Sequence, residues 1–340
     1  MASFVVGDQV ILDGLKAKPE LNGLGATVVG PIGSDGRVPV RVRAGEPGMT
    51  VKPENLCRAA GASASGSALQ LSEEEHARQP QPHEIEPNLA YAMDRANSRA
   101  VRLDCLKVLA AHAEKPDQAH HEQLAVAAVP ARLIELLGDE AEEKVFRSLA
   151  CGVLQNFAGH AWNVSRLLSS GIVPALARQL EGNHLPVARE TALSTLVHLC
   201  EERDGSAAVG DSRVPAALVA IVSDRASTEK ALEVSLIVLG KLMYHKDNWE
   251  RVLGLGALQA AAAAMRREGV SQATRQFGAG LMYVTCRTSV SNREQVAQGE
   301  CAQALLEMAK AGSVNGKARE LAVKALAACG LTDELAQKGE

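Results

Sequence analysis

Residues 128–329 repeat a two-segment pattern with a period in the low forties. The shorter segment of each copy aligns on one residue, at spacings of 44, 41, 43 and 44: Pro130, Pro174, Pro215, Leu258 and Ala302. A longer segment follows, such as "RSLACGVLQNFA" at 147–158 or "ETALSTLVHLC" at 190–200. Both segments space their apolar residues as a helix does. A period of this length, filled by a short, a medium and a long helix, predicts an all-α solenoid whose stacked units share one core.

One copy of the pattern, "NVSRLLSSGIVPALARQL" at 163–180, resembles the armadillo repeat. Its Asn163, Gly171 and Pro174 fall where that family's consensus places such residues, and 248–258 and 292–299 repeat the match more loosely. We expect the asparagine to cap the first helix, the glycine to allow the sharp turn into the second, and the proline to occupy the first turn of the second helix. The resemblance covers about 250 of the 340 residues.

The predicted solenoid spans residues 87–338 and is expected to be right-handed. It begins with a partial unit at 88–113 that caps the stack, and about five full units follow. The unit at 205–243 is expected to be irregular, because "GSAAVGDSRVPA" leaves little room for a first helix.

Residues 1–57 have a different pattern, with short β-type runs between glycine-rich turns. Four or five strands in so short a span can bury their apolar sides only by curling into a small barrel. The strings "GLKAKPELNG", "GRVPVRV" and "VKPENL" resemble an SH3-like small barrel of multidomain proteins from algae and other protists. The predicted fold class is therefore a small SH3-like all-β barrel followed by an all-α armadillo-type solenoid.

Residues 58–86 are rich in Ala, Ser, Gly, Pro, Gln and Glu, which is the composition of a flexible linker. A chain of this length reaches roughly 30 Å, so the barrel is expected to be tethered to the solenoid.

Catalytic and cofactor patterns are weak. "AHHEQLA" at 119–125 is not a metal-binding helix motif, and "GLGATVVG" and "GPIGSDG" lack the helix that would complete a phosphate loop. The cysteines that recur in the long helices, including Cys151 and Cys200, are expected to face and pack against neighbouring helices. His112, His160 and His198 are interpreted as isolated histidines. We therefore expect no enzyme activity, no metal and no cofactor.

The resemblance implies that a protein or extended peptide partner binds along the concave face formed by the long third helices. Alignment of these helices on Leu154, Leu196, Leu239, Leu281 and Leu326 predicts two rows of groove residues. The first row is Asn156, His198, Lys241 and Tyr283, followed by Ala328; the second is Glu190, Glu233, Arg275 and Glu320. The alternative is that these residues are ordinary solvated side chains beside the core. The tryptophan–asparagine ladder of nuclear-import adaptors is absent, since Gly152 occupies the tryptophan position.

On the barrel, the loop 16–23 is a candidate docking tip through Lys16, Lys18, Glu20 and Asn22.

The leading hypothesis is a cytoplasmic, non-catalytic adaptor or scaffold without membrane insertion, and a subunit of a larger assembly is compatible with it. The alternative is a nucleic-acid-associated factor that uses the barrel and the basic stretch "MRREG" at 265–269. The net charge of −4 disfavours this alternative, because phosphate binding needs a concentrated positive field.

Overall fold

The computed structural model describes residues 4, 6, 8–12, 15, 21, 25–33, 35–42, 48–58, 83–181, 185–311 and 314–331. The predicted docking residues Lys16, Lys18, Glu20 and Asn22, and residues 59–82 of the predicted linker, lie outside these ranges. The two ends of the predicted linker fall in regular structure, since a strand extends to Arg58 and the first helix begins at Ile85.

The N-terminal region forms one antiparallel sheet of five short strands in the order β4-β3-β2-β1-β5. Within it, Val10 pairs with Ala26 and Val28 with Val40. Alternate side chains along these strands are buried in a core of their own, as expected for strands with one apolar face. The strands are β1 Gln9–Leu12, β2 Gly25–Val28, β3 Val38–Arg41, β4 Met49–Val51 and β5 Leu56–Arg58.

The rest of the described chain is helical. Its helices are α1 Ile85–Met93, α2 Arg99–Ala113, α3 Gln118–Val126, α4 Val129–Gly138, α5 Lys144–Ala158, α6 Ala161–Ser169, α7 Ile172–Glu181, α8 Pro186–Leu199, α9 Arg203–Gly210, α10 Val214–Ser223, α11 Glu229–Leu242, α12 Trp249–Gly254, α13 Ala257–Met265, α14 Gln272–Cys286, α15 Val290–Val296, α16 Gly299–Lys310 and α17 Gly316–Cys329. Over the described residues, no single helix has the length and hydropathy to cross a membrane; α9 and α10 meet those criteria only as a pair, bent by 74°.

From α3 onward the helices fall into groups of a first, a second and a third helix. Each third helix packs against the third helices of the neighbouring groups, from α2 through α5, α8, α11 and α14 to α17. The second helices α1, α4, α7, α10, α13 and α16 form a parallel layer in the same way. One continuous apolar core runs between the layers, made mainly of Ala, Leu and Val. This is the all-α solenoid that the period predicts.

The turn between first and second helices requires a left-handed backbone. Gly171, Gly256 and Gly299 have φ angles of 80°, 79° and 57°, as the sequence predicts. Ala128 takes the same role in the first group with φ 57°, the one non-glycine residue with positive φ among those described. The third group avoids this turn, because Arg213 before α10 has a φ of −81°.

The expectation that the third group barely has a first helix is wrong, because α9 is an eight-residue helix. Its glycines have a different purpose. A Cβ on Gly205 would lie 2.0 Å from the Leu199 carbonyl oxygen, and one on Gly210 would lie 1.8 Å from Oδ1 of Asn248. The glycines therefore allow α9 to pack closely against its neighbours.

The expectation that an asparagine caps each first helix is also wrong. Asn163 lies inside α6, and its Nδ2 donates to the Phe157 carbonyl oxygen at 3.0 Å, at the end of the preceding third helix. Asn248 donates in the same way to the Leu242 carbonyl oxygen at 3.2 Å. These side chains satisfy C-terminal carbonyls that have no partner within their own helix.

Equivalent buried polar residues occur at the repeat period in every first helix or just before it. We call them the first-helix ladder: His121, Asn163, Ser206, Asn248 and Asn292. Nδ2 of Asn163 also lies 2.8 Å from Nδ1 of His121, and Nδ2 of Asn248 lies 3.2 Å from Oγ of Ser206. The ladder thus joins the first group to the second and the third group to the fourth by hydrogen bonds within the core.

Candidate functional site

The exposed side of helices α2, α5, α8, α11, α14 and α17 is called the third-helix face. Equivalent positions in α5, α8, α11, α14 and α17 can be found by counting from the residue just before each helix. In chain order, these residues are Glu143, Leu185, Thr228, Ser271 and Asn315. Counted in this way, Val284 and not Tyr283 is the equivalent of Lys241. The third-helix row is therefore Asn156, His198, Lys241, Val284 and Ala328, all half-buried.

Two members of the third-helix row share one carboxylate. Oε1 of Glu201 lies 3.2 Å from Nζ of Lys241, and its Oε2 lies 3.7 Å from Nδ1 of His198. Asn156 makes a longer contact, 3.5 Å from its Nδ2 to Oε1 of Glu114. The structure therefore brings His198 and Lys241 together on adjacent third helices, with Glu201 between them.

The second predicted row connects neighbouring third helices. Oε1 of Glu190 accepts a hydrogen bond from Oγ1 of Thr228, and Oε1 of Glu233 accepts one from Oγ of Ser271, both at 2.7 Å. These hydroxyls in turn accept the backbone amides of Ala231 and Thr274 and so cap α11 and α14. Glu190 and Glu233 are thus part of the contact between groups.

Arg275 departs from this row, because the residue equivalent to Glu233 is Gln276. Nε of Arg275 donates to the Met265 carbonyl oxygen at 3.4 Å, at the end of the second helix α13. Arg102 contacts the carbonyl oxygen of Ala92 in the same manner, at 2.9 Å. These arginines satisfy carbonyls at second-helix ends, where a cation is also favoured by the helix dipole.

A cavity of about 740 Å³ opens on the third-helix face between α11 and α14. Lys241 and Tyr283 from the predicted first row line it. The other contributors were not predicted from the sequence; they come from four helices and from the turns after α11 and α14. Its apolar and aromatic lining includes Ile237, Tyr244, Trp249, Phe277, Tyr283 and Val284.

Two aromatic residues of this cavity differ in their surroundings: the Trp249 ring is held by a hydrogen bond, and the Tyr244 ring is largely exposed to solvent. Nε1 of Trp249 donates to the Met243 carbonyl oxygen at 2.9 Å, which fixes the indole. Tyr244 is 70% exposed, the largest exposure of any aromatic residue described. The cavity therefore presents a fixed ring beside an accessible one.

The charged groups lining the cavity are both cationic. Lys241 keeps its contact to Glu201, and the guanidinium of Arg287 lies 5.6 Å from the centre of the Tyr283 ring. No Asp or Glu is among the described lining residues. The cavity is thus apolar in its interior and has two cationic side chains in its lining, of which Lys241 is paired with Glu201.

A histidine cluster lies at the opposite end of the solenoid, although the sequence suggested isolated histidines. Nδ1 of His112 is 2.8 Å from Nε2 of His120, and the His160 ring stacks on Trp162 and meets the edge of His121. Burial, with nearby positive charge, lowers the pKa of His120 and of His160. Over the described residues, no group of three or more His, Cys, Asp or Glu side chains is placed to hold a metal ion.

Two of the described thiols, those of Cys151 and Cys200, have the properties of core side chains. Burial raises the pKa of Cys151 and Cys200 to about 12. Both side chains are buried in the core, as the packing interpretation predicts.

The basic stretch at 265–269 is occupied by contacts within the solenoid. Nε of Arg266 lies 3.0 Å from Oε2 of Glu307. Arg267 donates to the carbonyl oxygens of Val222, Ser223 and Asp224 at the end of α10. These partners disfavour phosphate binding there.

Comparison with solved structures shows an armadillo-like fold. One similar structure is a computationally designed armadillo repeat protein for modular peptide recognition, with 14% identity and a TM-score of 0.64 over 72% of this chain and 99% of that one. Another is a designed armadillo repeat protein in complex with the peptide (KR)4, with the same identity, TM-score and coverage. No protein-family model and no curated protein matches the sequence.

Proposed function

We propose that this chain is a non-catalytic adaptor that binds an extended segment of a partner protein along the third-helix face. The observation that carries the proposal is the regular third-helix row, which lies beside an open aromatic cavity on the same face. Neighbouring helices pack about 8–10 Å apart, and three residues of extended chain span about 10 Å. One partner residue in every three can therefore meet successive third helices.

The similar designed proteins support a peptide as the partner, since one was designed for modular peptide recognition and another forms a complex with the peptide (KR)4. Their identity to this chain is 14%, so the comparison supports a mode of binding and not a particular peptide.

The N-terminal sheet is the second part of the proposal. We infer that its five strands close into an SH3-like barrel, because β1 pairs with both β2 and β5 and so links the first and last strands. Residues 1–57 then act as a second docking module, with 58–86 as its tether and 87–338 as the solenoid. A tether of this length gives an effective concentration of the order of millimolar, which strengthens two weak contacts to one assembly. The proposed location is the cytoplasm.

The test uses site-specific photo-cross-linking on the full chain. A benzophenone amino acid replaces Val284 on the third-helix face or, as a control, the exposed Gln303 on the second helix α16. Each variant is irradiated with an array of twelve-residue peptides that differ in charge and in aromatic content. Adducts at position 284 and none at 303 are expected. Adducts at neither position, or at both equally, would overturn the proposed binding face.

A further inference from the structure

We propose that the aromatic cavity between α11 and α14 is a specificity pocket for a bulky apolar side chain carried by an acidic peptide segment. The inference rests on the proposed function, because it assumes that the partner segment runs along the third-helix face. It adds the chemistry of the residue that is recognised.

The distribution of aromatic residues supports a binding role. The whole chain has four Phe, three Tyr and two Trp residues. Four of these aromatic residues line this cavity, whereas Phe146 and Phe157 are fully buried in the core. Elsewhere the core is packed mainly with Ala, Leu and Val. A chain that is sparing with aromatic rings thus places four of its nine around one accessible cavity, and such accessible apolar surface marks interaction sites.

Two glycines keep the cavity open. Gly240 in α11 and Gly280 in α14 line it, and both lie in helix interiors. A Cβ on Gly240 would meet nothing within 4 Å, and one on Gly280 would only touch Leu321 at 3.9 Å. Glycine costs a helix interior roughly 0.5–1 kcal/mol relative to alanine, and packing does not require it here. The absence of a side chain at these two positions therefore enlarges the cavity and does not relieve a packing conflict.

The charged residues of the lining favour a negatively charged partner segment. Aromatic faces alone would attract a cation, but the exposed guanidinium of Arg287 would repel one at this site, whereas Lys241 is already paired with Glu201. Among the described residues, no carboxylate forms an ion pair with Arg287. Its charge is therefore available to a ligand. A carboxylate beside the inserted apolar side chain would gain that contact. This preference is opposite in sign to that of the designed neighbour in complex with (KR)4.

The size of the cavity suits one side chain and the backbone around it. Its volume of about 740 Å³ lies within the range of ordinary ligand sites, roughly 300–1,000 Å³. The fixed indole of Trp249 in α12 and the half-buried ring of Phe277 in α14 can both contact an inserted ring. Phenylalanine between acidic residues is therefore the simplest probe.

The experiment measures fluorescence anisotropy of labelled nine-residue peptides with the full chain. The first peptide has phenylalanine between two pairs of acidic residues; the second replaces phenylalanine with alanine; the third replaces the acidic residues with lysine. We expect the first peptide to bind at least tenfold more tightly than either of the others. Equal affinity for the first and second peptides, or tighter binding of the third, would overturn the assigned chemistry.

Glycine variants test the pocket without damage to the fold. Gly240→Ala and Gly280→Ala each place a methyl group in the cavity, and the first peptide should bind at least fivefold more weakly while the melting temperature stays equal or rises. Gly152→Ala is the matched control. It is the same change in the third helix α5, where a Cβ also meets nothing within 4 Å, but it lies outside the cavity.

A charge variant completes the test. Arg287→Glu should weaken binding of the acidic peptide and strengthen binding of the lysine peptide. If the acidic peptide binds but neither the glycine variants nor Arg287→Glu changes its affinity, the pocket is wrong while peptide binding stands. If no peptide binds and position 284 gives no cross-link, the proposed function itself fails.

Discussion

The first-helix ladder and the third-helix row follow the same period but have different surroundings. In the ladder, Asn163 is fully buried and its amide bonds across to His121 and back to Phe157. In the row, Asn156 is half-buried and has one contact at 3.5 Å. A polar residue that recurs with the repeat can therefore either join neighbouring groups, as Asn163 does, or stay accessible at the surface, as Asn156 does. Burial and hydrogen-bond partners separate the two roles, and periodicity does not.

The largest expected difference in the free energy of unfolding is between two asparagine substitutions, one in the ladder and one in the row. Asn163→Ala leaves two buried acceptors, the Phe157 carbonyl oxygen and Nδ1 of His121, without this donor. We expect it to lower the free energy of unfolding by about 3 kcal/mol. Asn156→Ala should change it by less than about 0.5 kcal/mol. Both residues lie inside helices, so the gain in helix propensity is the same for both. Urea denaturation measures the two values, and similar losses would remove the distinction between ladder and row.

A smaller effect is expected for the glutamates that the sequence placed in the groove. Glu233→Ala should cost about 1 kcal/mol, because the half-buried carboxylate accepts the hydroxyl of Ser271, which caps α14. If Glu233 were an ordinary solvated side chain, which is the alternative that the sequence left open, the cost would be close to zero. Glu320→Ala is the control, since Glu320 bonds to Lys324 on its own exposed helix surface, and no measurable change is expected.

A double-mutant cycle with Ser271→Ala makes the glutamate test specific. If Glu233 acts through Ser271, the two substitutions together should cost less than the sum of their separate costs. Additive losses would instead leave Glu233 as an ordinary surface residue of the third-helix face.

The period and the turns could be predicted from the sequence because both have a local physical cause. Apolar spacing identifies helices, and a left-handed turn favours glycine, so Gly171, Gly256 and Gly299 mark the joints. The role of Asn163 was not predictable in this way. An asparagine near a helix start suits a cap equally well, and only the fold places the Phe157 carbonyl oxygen beside it.

The candidate site was predicted only in part. Alignment on Leu281 put α14 out of register by one residue, so Tyr283 and Arg275 took the places of Val284 and Gln276. The aromatic cavity was missed because it combines residues from 236 to 321. The available signal was the concentration of scarce aromatic residues between 244 and 283.

The smallest expected effect concerns pH at the His121 end of the ladder. The pKa of His160 is lowered by burial and then by the positive charge of His121 and His198. The pKa of His120 is lowered by burial, then by Lys115, His112 and His121, and is raised in part by Asp117. The unfolded chain has an ordinary histidine pKa of about 6.5, so it takes up protons first as the pH falls. The free energy of unfolding contributed by these groups is therefore intact above that pH and decreases below it.

Denaturation midpoints at pH 7.5 and pH 5.5 test this sign. The wild-type chain should be less stable at pH 5.5, and the double variant His120→Gln, His160→Gln should lose part of that difference. The effect is small because both rings are partly exposed to water. A variant in which His198→Gln is the only change should keep most of the difference, because His198 is the lesser of the two charges acting on His160. If that single change removed the whole pH dependence, the third-helix row would be coupled to the folding of the ladder, and the two could not be treated as separate functions of one repeat.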